Sequence, residues 1–235
     1  MQLLVSPRSS SEAIECVKGG TDIVDIKNPD EGSLGANFPW IIKDILKVVP
    51  DGTPVSAAIG DLPNLPGTAS LAACCIASCG VNYVKAGLKG VENEDEAINL
   101  MKKITRAVKE NNKDTKVVAA AYADYKRFGT INPLLVPEIA EKAGCDIAMI
   151  DTGIKDGKSL FDFLKLEQLE KFIEDGHKRN LEIALAGSLK EKDFPVLKRL
   201  APDIIGIRGA ACEKNDRLNG SIKSERIKAL KSLLQ

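Results

Sequence analysis

The sequence predicts a single (β/α)8 (TIM) barrel over residues 1–235, and three observations predict it. Eight short apolar runs rich in β-branched residues recur along the chain. Helix-like stretches separate them at a mean period of about 30 residues, as eight βα units in roughly 200 to 250 residues require. The runs are near-continuous rather than alternating, the pattern of parallel strands buried on both faces. An open doubly wound sheet is the competing arrangement, and it more often has a glycine-rich turn after its first strand. Here the first run leads into Ser6-Pro7-Arg8-Ser9-Ser10, and no GxGxxG follows. No linker, charge block or low-complexity stretch divides the chain, so one domain is expected.

The apolar runs are Gln2–Ser6, Asp22–Lys27, Pro54–Gly60, Asn82–Gly87, Lys116–Tyr122, Asp146–Asp151, Leu181–Gly187 and Asp203–Gly209. After the first, Ser11 to Val17 follows a serine-rich start suited to an N-cap. Before the fifth, Ile98, Met101, Ile104 and Val108 form one helical stripe, with Lys102, Lys103, Arg106 and Lys109 away from it. The last stretch places Ile227, Leu230 and Leu234 on one face.

Composition narrows the chemistry. The chain has 33 basic and 33 acidic residues, so no charge bias points to nucleic acid or a membrane surface. No segment approaches the roughly 18 apolar residues of a membrane helix, and the N-terminus does not read as a signal peptide. Six cysteines form no CxxC pair, and several lie in apolar surroundings, which predicts reduced, largely buried thiols and a cytoplasmic protein. The single histidine, His177, stands in a polar stretch leading towards the seventh run, at the end of a barrel away from catalysis, and is expected on the surface. Multi-histidine zinc sites are thereby excluded, and proton chemistry must fall to Asp, Glu, Lys, Tyr or Cys.

Barrel active sites form where the strands end. The second run ends Asp25-Ile26-Lys27, the fourth Tyr83-Val84-Lys85, and the sixth Ile150-Asp151-Thr152 with Lys155 close behind. Period-two alternation turns Asp25 and Lys27 the same way. Charges at the ends of buried strands are costly unless they gather and find partners. Lysines and aspartates without histidine suit Schiff-base chemistry. A lysine that attacks a carbonyl must be neutral part of the time, so its pKa must fall from about 10.4. Burial and neighbouring cations both lower it. An aspartate can then orient the amine and move protons. The plainer alternative is a set of structural ion pairs, Lys27 with Asp25 and Lys85 with Asp151.

The seventh and eighth runs end in Gly187-Ser188 and in Arg208-Gly209-Ala210. Glycine loops here form the usual phosphate site of such barrels, through backbone N–H groups that approach the anion closely. Arg208 adds charge if alternation does not turn it outward. The loop from Asn28 to Trp40 is the longest polar stretch, with the length and the glycines of a lid, and Phe38 and Trp40 as its anchors to the second helix.

These residues carry a resemblance. Asp25-Ile26-Lys27-Asn28-Pro29 followed by Glu31-Gly32-Ser33-Leu34-Gly35-Ala36 resembles the (5-formylfuran-3-yl)methyl phosphate synthase family, also called 4-(hydroxymethyl)-2-furancarboxaldehyde-phosphate synthases. Val84-Lys85-Ala86-Gly87-Leu88, Asp151-Thr152, Lys155-Asp156-Gly157, Ser159-Leu160, Ala186-Gly187-Ser188-Leu189 and Arg208-Gly209-Ala210 extend it along nearly the whole chain. The resemblance implies condensation of two glyceraldehyde 3-phosphate molecules into a furan aldehyde phosphate, with loss of phosphate and water, in methanofuran biosynthesis. It implies Lys27 as the Schiff-base lysine, Lys85 as proton acceptor, and Asp25, Asp151 and Lys155 as supporting polar residues. No metal or organic cofactor is expected, and a homo-oligomer is. The rival readings are another Schiff-base aldolase on a sugar phosphate, a non-catalytic phosphometabolite-binding barrel, and a structural protein with a stabilising polar mouth.

Overall fold

The computed structural model describes residues 1–234. All eight expected strands form: β1 (Gln2–Val5), β2 (Ile23–Ile26), β3 (Val55–Ala58), β4 (Tyr83–Gly87), β5 (Lys116–Tyr122), β6 (Ile147–Asp151), β7 (Glu182–Leu185) and β8 (Ile204–Ile207). They pair in chain order, all parallel, and close when β1 pairs with β8 from Gln2↔Ile204 to Val5↔Ile207. The helices are α1 (Ser10–Gly19), α2 (Pro39–Leu46), α3 (Pro66–Ser78), α4 (Glu94–Asn111), α5 (Val136–Ala143), α6 (Leu166–Lys178), α7 (Phe194–Leu200) and α8 (Ser224–Ser232).

Local chemistry sets the helix ends. The Ser9 side chain accepts from the Glu12 N–H and opens α1. Asn93 does the same for Glu96, followed by the acidic first turn Glu94-Asp95-Glu96, which complements the helix dipole of α4. Gly144 ends α5 in the left-handed region at φ 72°, where a side chain would be strained.

Alternation divides each strand between two cores. Val24, Ile26, Val84, Ala148, Ile150, Ile205 and Ile207 face the helices and join one continuous cluster with Ile42, Ile104, Phe172 and Ile227. The opposite positions fill the barrel: Leu4, Ile23, Tyr83, Val118, Ile147, Met149 and Ile204. On β2, β4 and β6 this inward row begins with Ile23, Tyr83 and Ile147 and ends in Asp25, Lys85 and Asp151. Apolar packing at the bottom thus gives way to charge at the top within a single strand. The expected α4 stripe is in place, with Met101, Ile104 and Val108 buried.

Among the described residues no helix is long and apolar enough to cross a membrane. All six cysteines are free. Cys16, Cys145 and Cys212 are buried, as expected, but Cys75 is exposed and Cys74 and Cys79 are half-exposed, all on or just after α3. His177 is a surface residue of α6, its Nε2 2.8 Å from Asp203 Oδ2, before the start of β8.

Gly176 lets α6 lie against β7, since a Cβ there would overlap the Ile183 side chain. Gly176→Ala is therefore expected to destabilise the fold by about 1–3 kcal/mol, measured by chemical denaturation.

Candidate active site

The strand-end charges form one alternating chain across the barrel mouth. Lys85 Nζ donates to Asp25 Oδ1 at 2.6 Å, and Ser6 Oγ donates to Asp25 Oδ2 at 2.8 Å. Lys27 Nζ stands between the two carboxylates, 3.6 Å from Asp25 Oδ2 and 3.4 Å from Asp151 Oδ2. Lys155 Nζ donates to Asp151 Oδ1 at 2.6 Å and to Thr152 Oγ1 at 3.0 Å. The order is Lys85–Asp25–Lys27–Asp151–Lys155. It differs from the simple pairing read from sequence: Asp25 takes Lys85 tightly and Asp151 takes Lys155, which leaves Lys27 shared and loosely held.

Burial and neighbouring charge together shift Lys85, Lys155, Asp25 and Asp151. Lys85 is only 1% exposed, and that burial pulls its pKa down to about 8 against the opposing pull of Asp25. Burial also lowers Lys155, with Asp151 opposing and Lys27 adding repulsion. For Asp25, burial alone would raise the pKa, but Lys85 and Lys27 outweigh it and hold the carboxyl below its usual range. Asp151 is depressed in the same way by Lys155 and Lys27. Two lysines with loosened protons thus stand at the ends of the chain, each against a firmly ionised carboxylate.

A cavity of about 320 Å³ opens above this chain. Lys27, Asp151, Lys155 and Ser6 form part of its wall, with Gly187, Ser188, Gly209 and Ala210 on the far side. Asp25 and Lys85 lie beneath it. Gly187 has φ 115°, and a Cβ there would press on Thr152. Ser188 follows at φ 51°, an uncommon conformation for a residue with a side chain. The N–H groups of Ser188, Gly209 and Ala210 have no protein acceptor among the described residues.

Arg208, expected as a phosphate ligand, has its donors already engaged. It borders the cavity, but Nη1 and Nη2 pair with Glu12 at 2.8 and 3.2 Å, Nη1 also donates to the Ser6 carbonyl, and Nε donates to the Arg217 carbonyl at 2.8 Å. Glu12 in the first turn of α1 supplies the counter-charge that a buried guanidinium needs. Arg208 therefore ties β8 to β1 and α1 and is not a free anion ligand.

The long loop plugs the mouth. Leu34 is fully buried and packs inside the barrel with Tyr122. Ser33 Oγ donates to the Thr152 carbonyl at 2.7 Å, and the Ser33 and Leu34 N–H groups donate to Asp61 Oδ2 at 2.9 and 3.3 Å. Tyr122 donates its hydroxyl to Asp61 Oδ1. Gly32 and Gly35 permit this fold-back, because a Cβ at either would collide with Asp61 or with the Asn28 carbonyl. The expected anchors behave otherwise. Phe38 and Trp40 stack on each other at 4.8 Å and remain exposed, while Ile42 and Ile45 hold α2 to the barrel.

Asp61, Tyr122, Ser33 and Arg217 were not singled out from the sequence. Asp61 follows the third run by one residue, and Tyr122 closes the fifth, so a wider search of strand ends would have found both. Arg217 lies in Glu213-Lys214-Asn215-Asp216-Arg217, which reads as a solvated loop with nothing to mark it. Among the described residues no group of three His, Cys, Asp or Glu side chains is arranged to hold a metal ion.

Residues 3–231 match the family described as 4-HFC-P synthase. The chain belongs to the 4-HFC-P synthase family. It is 51% identical over 233 residues to the (5-formylfuran-3-yl)methyl phosphate synthase of Methanopyrus kandleri, covering 99% of this chain and 98% of that protein. With the protein of the same name from Methanocaldococcus jannaschii it shares 54% identity, covering 99% of both. The barrel is shared more widely. The 3-hexulose-6-phosphate synthase of Salmonella typhimurium superposes with a TM-score of 0.69 over the full length of both chains at 18% identity, a likeness of fold alone.

The Lys85–Asp25 pair predicts its own perturbation. Asp25→Asn removes the anion that favours the Lys85 ammonium, so the Lys85 pKa should fall further below about 8, read by NMR titration of the lysine side chain. Stability should drop by about 3–5 kcal/mol where Lys85 is still charged and recover partly at higher pH, as Lys85 loses its proton.

Proposed function

We propose that Lys27 forms a Schiff base with one molecule of glyceraldehyde 3-phosphate and joins it to a second, giving 4-(hydroxymethyl)-2-furancarboxaldehyde phosphate. As a member of the 4-HFC-P synthase family the chain is a lyase of methanofuran biosynthesis. The observation that carries the choice of Lys27 is its loose hold. It is the lysine of the trio that borders the cavity without a short ion pair, at 3.4 and 3.6 Å from its carboxylates against 2.6 Å for Lys85 and Lys155. A nucleophile must leave its resting contacts to reach a carbonyl, and Lys27 gives up least in doing so.

The proposed sequence begins with attack of the Lys27 amine on the carbonyl of the first triose phosphate and loss of water to an iminium. The iminium acidifies the neighbouring C–H. That proton passes to Lys85 by way of Asp25, whose carboxylate lies between Lys27 and Lys85. The resulting enamine carbon attacks the aldehyde of the second triose phosphate. Dehydration and elimination of one phosphate follow, and a hydroxyl oxygen closes the ring on the iminium carbon and expels the Lys27 amine, which frees the enzyme and forms the furan, whose aromaticity drives the sequence forward. The iminium itself is the electron sink, so the route calls for no metal or organic cofactor. Asp25 and Asp151 hold the lysines and move protons, and Lys155 binds a phosphate or assists its departure. The unpartnered N–H groups of the Gly187-Ser188 and Gly209-Ala210 turns support one substrate phosphate at their side of the cavity.

We further infer a cytoplasmic protein, from the six free thiols, that associates with copies of itself through α3. That helix has no charged residue in its thirteen positions, and Leu71 stands 75% exposed on it. The mass in solution, from light scattering, should exceed the 25.2 kDa of one chain, and Leu71→Glu should lower it; a 25.2 kDa particle would count against association.

Borohydride trapping with glyceraldehyde 3-phosphate should label Lys27, and Lys27→Arg should abolish both label and turnover, by more than about a thousandfold. Lys85→Ala should still be labelled while furan absorbance fails to develop. Labelling of any other lysine overturns the assignment of Lys27, and a linear product in place of the furan points to an ordinary Schiff-base aldolase.

A further inference from the structure

We propose that Arg217, on the loop between β8 and α8, binds the phosphate of the second triose phosphate, the one whose aldehyde accepts the enamine. The inference rests on the two-substrate reading above and assigns the second phosphate, for which that reading offers only Lys155, itself paired with Asp151 at 2.6 Å.

Arg217 borders the same cavity as Lys27, Asp151 and Lys155. Its side chain is half-buried, yet among the described residues it has no ion pair and a single long hydrogen bond, from Nη2 to the Gly32 carbonyl at 3.4 Å. A half-buried guanidinium with most of its N–H donors unengaged is poised for an anion of several oxygens, and its planar fork can meet two oxygens of a phosphate at once.

Its base is fixed while its tip is free. The Arg217 carbonyl accepts from Arg208 Nε at 2.8 Å, and Arg208 is locked to Glu12. Next door, Asp216 accepts from the Leu218 and Asn219 N–H groups, both at 3.0 Å, which braces the turn. The Glu12–Arg208 pair is thus a positioning device for Arg217.

Charge bookkeeping points the same way. In the mouth three lysines face two aspartates, and the one excess positive charge belongs to the reacting centre, as ammonium or as iminium. Glu12 cancels Arg208. Arg217 is the remaining cation of the inner cavity wall without a direct ion pair, with Asp151 and Asp61 acting on it only from a distance. Lys190 lies at the exposed rim and donates to the Gly157 carbonyl at 3.2 Å.

The location also fits. The free N–H groups line the β7 and β8 side of the cavity, whereas the contact with Gly32 places the Arg217 tip towards the β2 loop, across β1. Two phosphates held on these two flanks would bring the carbon ends of both substrates together over Lys27.

The test compares two readouts on the full-length enzyme with glyceraldehyde 3-phosphate. One is the concentration dependence of borohydride-trapped Lys27, and the other is that of furan formation. In Arg217→Ala, trapping should saturate as in the unaltered enzyme, while the half-saturating concentration for furan formation rises about tenfold to a hundredfold. Arg217→Lys should recover part of the loss, and added methylguanidine should restore activity to Arg217→Ala, which a merely structural loop residue would not permit. If trapping weakens in parallel with furan formation, Arg217 serves the first phosphate and the proposal is wrong. If neither changes, Arg217 binds no substrate phosphate. Absence of trapping in the unaltered enzyme would instead overturn the Schiff-base reading itself, so the two failures are distinct.

Discussion

Everything in the barrel mouth depends on how Lys85 is kept charged or discharged inside an apolar barrel. An isolated ammonium there is untenable, and a carboxylate at 2.6 Å makes it tenable. Asp25 in turn is ionised only because Lys85 and Lys27 flank it. The same reciprocity repeats one step on with Lys27, Asp151 and Lys155. The five groups therefore stand or fall together. The strand ends bring them together at the mouth although the register staggers them, with Asp25 in line with Ser56 and Tyr83, and Lys85 in line with Val118 and Ile147. The apolar residues beneath, Ile23, Tyr83 and Ile147, exclude the water that would otherwise screen them.

The long β2 loop completes this exclusion from above. A loop that inserts Leu34 into the barrel and satisfies its own N–H groups on Asp61 is part of the site wall. The Asp61 carboxylate joins three elements at one point, because it accepts from the loop and from Tyr122 of β5 while itself following β3. Burial and the adjacent carboxylate keep the Tyr122 phenol protonated, raising its pKa well above the usual value, so Tyr122 is a permanent donor in this arrangement. Water exclusion of this kind suits a route through an iminium and several dehydrations, where stray water would hydrolyse the intermediate.

Why some of this could be read from the sequence and some could not follows from the range of the forces involved. Asp25, Lys27, Lys85 and Asp151 stand out because period-two alternation and apolar neighbours make a charge at those positions costly, and both facts are local. The barrel itself follows from the same local patterning. Which lysine meets which aspartate depends on strand register across the barrel, and no local pattern carries that. Arg208 shows the limit most clearly. Its position at a strand end was plain, but its direction was set by Glu12, 196 residues away in sequence, on a helix whose first turn happens to face β8. Phe38 and Trp40 looked like anchors because they are large and apolar, yet the stacked pair lies on the outer face, and the smaller Ile42 and Ile45 meet the core.

The fold by itself fixes no chemistry, and the alternating chain at the mouth is what makes this barrel's site. Its order has a consequence for proton movement. In the proposed mechanism a proton passing from the Lys27 side to Lys85 through Asp25 travels between neighbours already in contact, and the site gains or loses no net charge as it moves. In a water-poor mouth that is the economical path, since each uncompensated charge would have to be desolvated. Lys85 and Lys155 then titrate as members of one coupled system, and the pH response of turnover belongs to the chain as a whole. Altering Lys155 at the far end should therefore be felt at Lys85, through two carboxylates and without any contact between the two amines.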